Sequence, residues 1–428
     1  MKKYVIILTL LFTTVCLFRT LKADDDQLQF IEYRVKSGDN LYRIAQEYIH
    51  LSSSLFLNTF INEIKTYNDI SDSNIIHINQ VLMIPVSHTE NLGYNRIELD
   101  SLCGIYLNTY SLYDAKLETI IQRFDSLGCN ALVVDFRNVT GQLFYPSQNE
   151  IAQANSLILP IINNPQKLIN LLHSHGIELI ARVTMFKDTT LAGAYPQWRP
   201  RVLPDSTDSL PHQKKYVEHW LNPFNQEVQQ YNLLLIKEII ALGVDELQLD
   251  YVRFPTEGHL LDADYGIPDS LSKQDVITNF VKKVYAITQK VGIKLSADIF
   301  GIVALQHKAD VQNTGQDITS LEPYLDRIHP MIYPSHFYGE FWGKSYPGKE
   351  PYYFIYRICK ELIDEVEDAT KIIPYLESFS LYSNSVDSYI ITAQMQAVND
   401  AGLHKGFLFW NAGGYYSTTW EALEEWKH

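Results

Sequence analysis

Four acidic residues follow short apolar segments of the kind that form buried strands. They are Asp135, Asp250, Asp298 and Glu377. Hydrolysis of a glycosidic bond needs a pair of carboxyl groups, because one protonates the leaving oxygen while another stabilises or attacks the oxocarbenium-like carbon. These residues can supply that pair if the strand ends meet at one edge of a sheet.

Basic and aromatic residues follow the same segments. Aromatic rings pack against the apolar faces of sugar rings, so a rim that combines carboxylates, arginines and aromatic residues suits a glycan. The predicted substrate-binding residues are Asp135, Arg137, Arg182, Arg253, Tyr333, His336, Trp410 and Asn411. No His-x-His or Glu-x-x-His spacing accompanies His336, so neither a metal nor another cofactor is expected.

The order of segments after Leu102 predicts the fold that positions these residues. Short segments rich in β-branched or aromatic residues alternate with longer amphipathic ones. The predicted strands are 104–107, 131–136, 178–183, 246–250, 294–299, 327–332, 371–376 and 406–409. The predicted helices include 115–127, 166–175, 225–242, 275–291, 352–365, 388–401 and 420–426.

Glycine stands between several predicted helices and the next strand, as is usual where a helix ends. The glycines are Gly128, Gly176, Gly243, Gly292 and Gly402. Eight repeated strand and helix units favour an α/β fold, a (β/α)8 TIM-type barrel, over an open doubly wound sheet. In such barrels the active site lies at the C-terminal ends of the strands. No Gly-x-Gly-x-x-Gly or Walker loop follows a strand, which argues against nucleotide binding.

The residues before Leu102 predict a separate small module. The segment 33–48, YRVKSGDNLYRIAQEY, changes from alternating to helical spacing after a turn at Gly38 and Asp39. A second helix is predicted within 54–67, and QVLMIP at 80–85 predicts a closing strand. The predicted order is βααβ.

Both ends of this module resemble the LysM domain family. The sequence departs from the family at Asn79, where glycine is usual, and in a longer middle segment at 67–70. The resemblance implies binding of glycans that contain N-acetylglucosamine, above all peptidoglycan. The groove residues it implies are Gly38, Asp39, Asn40, Leu41, Ile78 and Asn79. The alternative is a spacer in which Leu41 serves the core and Gly38 and Asp39 serve only the turn.

Six later segments resemble a family of glycosyl hydrolase domains related to α-amylase-like barrels. They are VVDFRN, ELIARVTMFKD, VDELQLDYVRFP, LSADIFG, HPMIYPSHF and GFLFWNAGGYY. By analogy with those barrels, the resemblance implies that Asp250 is the nucleophile or charge stabiliser and Asp298 the acid/base. Asp298 stands where the amylase pattern has glutamate, so Glu377 is the alternative acid. The structural alternatives are an ion pair of Asp250 with Arg182 or Arg253, and a turn cap at Asp298.

Composition and charge exclude several classes of protein. Of 428 residues, 46% are hydrophobic and only 20 are Gly and 17 Pro, which excludes intrinsic disorder and collagen. The 35 Lys and Arg against 50 Asp and Glu give a net charge of −15, which argues against a nucleic-acid partner. Of the four cysteines, Cys16 lies in the predicted signal peptide, and the remaining Cys103, Cys129 and Cys359 are odd in number and widely spaced, so thiols are expected rather than a disulfide framework.

The first residues predict secretion. Lys2 and Lys3 precede an apolar run that is too short to span a bilayer, as in a cleaved signal peptide at 1–23. An uncleaved segment that anchors the protein in a membrane is the alternative. The remaining boundaries predicted are a LysM-like module at 31–87, a linker at 88–101 and a barrel at 102–428.

These patterns predict a glycoside hydrolase that is secreted, periplasmic or associated with the cell envelope. Its substrate would be a cell-wall or other polysaccharide, and its LysM-like module would bind peptidoglycan. Retention of configuration is expected if the two carboxyl groups lie about 5–5.5 Å apart, and inversion at about 6.5–9.5 Å. The alternative is a non-catalytic cell-wall or glycan-binding protein with an inactive barrel. A metal-dependent deacetylase is disfavoured because the sequence lacks a His-rich metal motif.

Overall fold

The computed structural model describes residues 29–71, 75–86, 97–201, 219–257, 260, 263–337, 340–381 and 385–427. The predicted signal peptide at 1–23 and most of the predicted linker lie outside these residues. In the described part of the chain, no helix combines the length and the apolar character needed to cross a membrane.

The small N-terminal module has the predicted βααβ order. Its elements are β1 (Gln29–Arg34), α1 (Leu41–Tyr48), α2 (Leu57–Tyr67) and β2 (Val81–Val86). The two strands pair antiparallel, and both helices bury their apolar stripe against them, with Leu41, Ile44 and Phe60 in the core. The module therefore has a hydrophobic core of its own.

Eight parallel strands form the second domain. They are β3 (Leu102–Leu107), β4 (Ala131–Arg137), β5 (Glu178–Thr184), β6 (Glu246–Asp250), β7 (Lys294–Ile299), β8 (Arg327–Pro330), β9 (Tyr375–Glu377) and β10 (Gly406–Trp410). The sheet order is β8-β7-β6-β5-β4-β3-β10-β9. Single bridges from Ile328 to Ile372 and from Met331 to Tyr375 bring β8 against the segment of β9. The sheet is thus a nearly closed barrel, which confirms the predicted TIM-type fold.

Helices surround this barrel. They are α3 (Asp114–Leu127), α4 (Glu150–Ala154), α5 (Pro165–Ser174), α6 (Thr189–Ala194), α7 (Gln226–Ala241), α8 (Lys273–Val291), α9 (Lys308–Thr314), α10 (Ile318–Leu321), α11 (Pro351–Glu365), α12 (Ser388–Ala401) and α13 (Ser417–Trp426). Gly128 and Gly292 end α3 and α8 in the left-handed conformation, at φ of 75° and 67°. The short helices α4, α6, α9 and α10 were not predicted, because they contain too few turns to show a periodic pattern.

The N-terminal end of the barrel is filled by an ion-pair network. Arg327, the first residue of β8, lies 2.7 Å from Glu178 and 2.5 Å from Glu246, which are the first residues of β5 and β6. His329 lies 2.9 Å from Glu246 and therefore belongs to the same network. The candidate functional site lies at the opposite, C-terminal end of the barrel.

Candidate functional site

The C-terminal ends of β4, β5, β6 and β7 bring four predicted residues into one charged cluster. Arg182 of β5 is buried at its centre. Its Nη1 donates to Oδ1 of Asp135, while Nε donates to Oδ2 of Asp250 over 3.0 Å and Nη2 donates to the same oxygen. Oδ2 of Asp298 lies 3.9 Å from Nε of Arg182. One guanidinium therefore faces three carboxyl groups.

The strand register explains why these side chains meet. Asp135 and Arg182 are paired across β4 and β5, and Asp250 and Asp298 stand near the ends of the next two strands. Every second side chain of a barrel strand points inward, so these residues share the interior. Tyr251 follows β6 with a φ of 50°, and its N–H donates to Oδ1 of Asp250 over 2.5 Å. Both carboxyl oxygens of Asp250 are thus held in place.

The surroundings of Asp298 favour its protonated form. Its side chain is only 1% exposed, and neither carboxyl oxygen accepts a hydrogen bond from the described residues. Burial, and next the charge of Asp250, raise the pKa of Asp298 well above its ordinary value. Asp298 therefore keeps its proton at a pH where an exposed aspartate has lost it. A carboxyl group in this state can act as a general acid.

Tyr106 supports the charged cluster from β3. Its hydroxyl donates to Oδ2 of Asp135 over 2.7 Å, and its ring stacks on Trp410 with centroids 3.8 Å apart. The guanidinium carbon of Arg182 lies 5.4 Å and 5.0 Å from these two ring centroids. Sequence reasoning missed Tyr106, although the alternation along 104–107 would have placed it on the inner face of the first barrel strand.

A cleft of about 570 Å³ opens above this cluster. It is lined by Arg182, Asp250, Tyr251, Arg253, Phe300, Gly301, Ile302, Met331, Tyr333, His336, Phe337, Phe341 and Trp410. Most of the lining is aromatic or apolar, and the polar groups lie together, as in sites that bind sugars through ring faces and a few hydrogen bonds. Burial lowers the pKa of His336, which favours its neutral form. Within the described residues, no cluster of His, Cys, Asp or Glu is arranged to hold a metal ion.

Two predicted substrate-binding residues lie elsewhere. Arg137 is fully buried, where its Nη2 lies 2.6 Å from Asp188 and its Nη1 donates to Asn232 of α7. The register of β4 shifts between Asp135 and Arg137, and the arginine packs outside the barrel. Asn411 donates to the carbonyl groups of Ser378 and Tyr415 and fixes the loop after β10. Neither residue lines the cleft.

Glu377, the alternative acid, is held at the end of β9. Its Oε2 accepts a hydrogen bond from the N–H of Ser335 over 2.9 Å. Its backbone N–H and C=O are bound by the side chain of Gln394 at 2.9 Å each. Glu377 is 1% exposed and, like Asp298, is not among the lining residues of the cleft. These contacts join the end of β9 to the turn Pro334–His336 that follows β8 and to Gln394 of α12.

The predicted LysM residues occupy two facing segments of the small module. Asp39 accepts hydrogen bonds from the Tyr33 hydroxyl at 2.8 Å and the Lys36 N–H at 2.7 Å, and Asn40 caps α1 by accepting from the Arg43 N–H. Gly38 shares this turn with a φ of 87°. The segment is therefore rigid before α1 begins.

The second segment precedes β2. Ile78 is 61% exposed, whereas Leu41 is buried in the core and cannot contact a glycan directly. Asn79 has a φ of 70°, a conformation that asparagine tolerates better than most residues, which accounts for its presence where the family has glycine. The Asn79 carbonyl accepts from Arg34 over 3.2 Å.

Replacing Asp298 by Asn should raise the Tm at neutral pH. A carboxyl group whose pKa is raised by folding stabilises the folded state fully below its unfolded pKa, and this contribution is lost as pH rises through the folded pKa. Asparagine does not titrate, so the advantage of the variant should grow as pH rises from below the ordinary aspartate pKa of 3.8. Thermal melts over this range would test it, with the exposed Asp364→Asn as control. A difference that is independent of pH would contradict the protonation state assigned to Asp298.

Comparison with protein families identifies both domains. Residues 104–416 match the family described as "Putative glycosyl hydrolase domain", and residues 33–85 match the LysM domain. The first match covers more than half of the chain, so the chain belongs to this glycosyl hydrolase domain family and carries a LysM domain before it. The bounds predicted from the sequence, 31–87 and 102–428, enclose both matches.

Solved structures with the same fold include the PgaB (BpsB) glycoside hydrolase domain from Bordetella bronchiseptica. It is 12% identical, with a TM-score of 0.53, over 76% of this chain and 97% of that chain. A hypothetical protein from Ruminiclostridium thermocellum ATCC 27405 is 26% identical over 46% of this chain and 97% of that chain, with a TM-score of 0.38. The spore cortex-lytic enzyme SleL from Bacillus megaterium QM B1551 is 12% identical over 92% and 86%, with a TM-score of 0.45. No curated protein matches the chain.

Proposed function

We propose that this protein is a secreted glycoside hydrolase that cleaves O-glycosidic bonds in a cell-wall or other polysaccharide. The observation that carries the proposal is the cluster in which Arg182 faces Asp135, Asp250 and Asp298 at the base of an aromatic cleft. The family membership and the position of the cleft at the C-terminal ends of the strands support it. LysM and glycosyl hydrolase domains together indicate an extracellular or cell-wall context.

In the proposed reaction, Asp298 supplies the proton and Asp250 the negative charge. The proton of Asp298 passes to the glycosidic oxygen while the bond from that oxygen to the anomeric carbon breaks. Asp250, which lines the cleft, attacks this carbon or stabilises the positive charge that develops on it. Water then bonds to the same carbon and gives a proton to the Asp298 carboxylate, which completes the hydrolysis and restores the acid. Arg182 and the N–H of Tyr251 orient Asp250, and Asp135 with Tyr106 orients Arg182.

The preference for Asp298 over Glu377 as the acid rests on environment. Both are nearly fully buried, but the Oε2 of Glu377 is held by a backbone N–H, whereas both oxygens of Asp298 are free of hydrogen bonds from the described residues. Asp298 also adjoins Asp250, whose charge raises its pKa. Burial and the charge of Asp250 thus both favour the acid form of Asp298.

The burial of Asp298 also supports a second candidate function. A hydrolase requires its substrate to reach the carboxyl group of Asp298, which is only 1% exposed. A protein that only binds glycans needs the aromatic walls of the cleft and does not require access to Asp298. Incubation of the protein with a panel of polysaccharides, with product anomers followed by NMR, separates the two functions. New reducing ends support the hydrolase, and their anomeric form shows retention or inversion. Binding without new reducing ends supports the glycan-binding alternative.

Deleting the LysM module should abolish co-sedimentation with insoluble peptidoglycan and leave activity on a soluble substrate nearly unchanged. The expectation follows because the module has its own hydrophobic core and the candidate active site lies wholly in the barrel. A second variant, Ile78→Asp in the full chain, places a charge at an exposed predicted groove position and should weaken sedimentation without removing the module. Equal sedimentation of all three proteins would refute the targeting role.

A further inference from the structure

One cation in the cleft is not used by the proposed reaction. Arg253 follows β6, is 4% exposed and lines the cleft next to Asp250 and Tyr251. Its guanidinium carbon lies 4.4 Å from the ring centroid of Phe300, 4.9 Å from that of Trp220 and 5.6 Å from that of Tyr251. Three aromatic rings therefore fix the position of this charge.

Arg253 lacks an anionic partner within the described residues. Its Nη1 donates to the carbonyl of Phe254 over 3.0 Å, whereas Nε and Nη2 donate to no described acceptor. Arg182, the other arginine of the cleft, is instead paired with Asp135 and Asp250. A nearly buried guanidinium without a carboxylate is costly unless an anion or water meets it. Burial lowers the pKa of Arg253, and the opposing charges of Glu257 and Asp250, neither of which forms an ion pair with it, offset this effect only in part.

The free edge of Arg253 has the geometry that recognises a carboxylate. Nε and one Nη of a guanidinium present two parallel N–H donors, which match the two oxygens of a carboxylate and give a bidentate hydrogen bond. The chain as a whole carries a net charge of −15, so its surface does not attract anionic polymers in general. A single unpaired cation in the cleft is therefore a local and specific feature.

We propose that the cleft binds a sugar residue that carries a carboxylate, with Arg253 as the residue that recognises it. The inference rests on the proposed hydrolase function, because it assigns the substrate class of the same cleft. Two kinds of sugar carry this group: a uronic acid, and a hexosamine with a lactyl ether as in peptidoglycan strands stripped of peptide. The shared chemistry is a carboxylate carried by a pyranose residue, either on the ring or on an ether side chain.

The test compares each acid with its methyl ester, which removes the charge and keeps the sugar. The probes are oligogalacturonate and peptide-free peptidoglycan strands, and binding to the full chain is followed by tryptophan fluorescence before turnover. We expect at least one acid to bind about tenfold more tightly than its ester. Arg253→Gln should reduce that ratio to about one, Arg253→Lys should give an intermediate ratio, and the surface variant Arg123→Gln should keep the ratio of the unaltered protein.

The ratio separates recognition from a structural role of Arg253, since a general loss of packing weakens acid and ester alike. An acid-to-ester ratio near one in the unaltered protein, no binding of either acid, or an unchanged ratio in Arg253→Gln would overturn the proposal. If Arg253→Gln does not fold, the ratios of the unaltered protein and of Arg253→Lys decide. Hydrolysis of only neutral polysaccharides would overturn this inference and support the hydrolase proposal. Selective binding of an acid without hydrolysis would support this inference and overturn the hydrolase proposal.

Discussion

Replacing Asp250 by Asn is expected to lower kcat by at least about 1000-fold while the barrel remains folded. The carboxylate acts mainly in the transition state, where positive charge develops on the anomeric carbon, and an amide of the same size cannot balance that charge. Arg182 keeps its contacts with Asp135 and Tyr106 in this variant, so its buried charge still has an anionic partner and the barrel should stay folded. Initial rates on the polysaccharide that the unaltered protein cleaves fastest measure the loss of kcat, and a thermal melt shows whether the barrel is folded.

Asp364→Asn is the matched control for Asp250→Asn. It makes the same chemical change at an exposed position of α11, far in sequence from the strand ends. It should retain the full rate. A rate for Asp250→Asn within about tenfold of the unaltered protein would remove Asp250 from the reaction, since one catalytic charge is worth far more than that.

Asp298→Asn should lose activity in a way that depends on the leaving group. For a polysaccharide, whose leaving group is a poor one, we expect a loss of about 100-fold to 10,000-fold. An aryl glycoside with an acidic phenol needs little protonation, so most of its rate should remain. The Asp250→Asn variant should show no such rescue, because the charge it lacks is needed with either leaving group.

The pH profile gives a second view of the same residue. Asp298 must be protonated to act as the acid, so activity is lost as pH rises through its pKa. Because burial and the charge of Asp250 raise this pKa, the loss should occur at a higher pH than for an exposed aspartate. Glu377→Gln is the matched variant at the competing position. If Glu377→Gln and not Asp298→Asn shows the dependence on the leaving group, the acid is Glu377 and the hydrolase proposal survives.

The strands that carry the site could be predicted closely from sequence, because each is a short, largely apolar run with a charged residue at or near its end. The structure has β6 and β7 at the predicted bounds, 246–250 and 294–299. The prediction for β9 began four residues too early. Lys371 ends a short 3-10 helix, Ala369–Lys371, and Pro374 has no N–H to donate to a sheet. The segment 371–376 nevertheless has the composition of a strand, so the sequence alone predicts one from its first residue.

The sequence predicts which residues stand at the ends of the barrel strands, but it does not predict every contact that they make. Arg182, Asp250 and Asp298 are predicted because they stand at the ends of predicted barrel strands, and the structure brings them together. Arg137 stands two residues after Asp135, but the register of β4 shifts between them, which a local pattern does not reveal. The aromatic rings around Arg253 include Trp220 and Phe300, which are distant in sequence. The sequence alone therefore does not show that Arg253 is enclosed by rings and forms no ion pair.

Release of new reducing ends from the polysaccharide panel, compared between the unaltered protein and Asp250→Asn at equal concentration, tests the central claim most directly. We expect the unaltered protein to release reducing ends from at least one cell-wall or other polysaccharide, and Asp250→Asn to release at least about 1000-fold less from the same one. Equal release by both proteins, or binding of a polysaccharide by the unaltered protein without any release, would contradict the assignment of this cleft as the active site of a glycoside hydrolase.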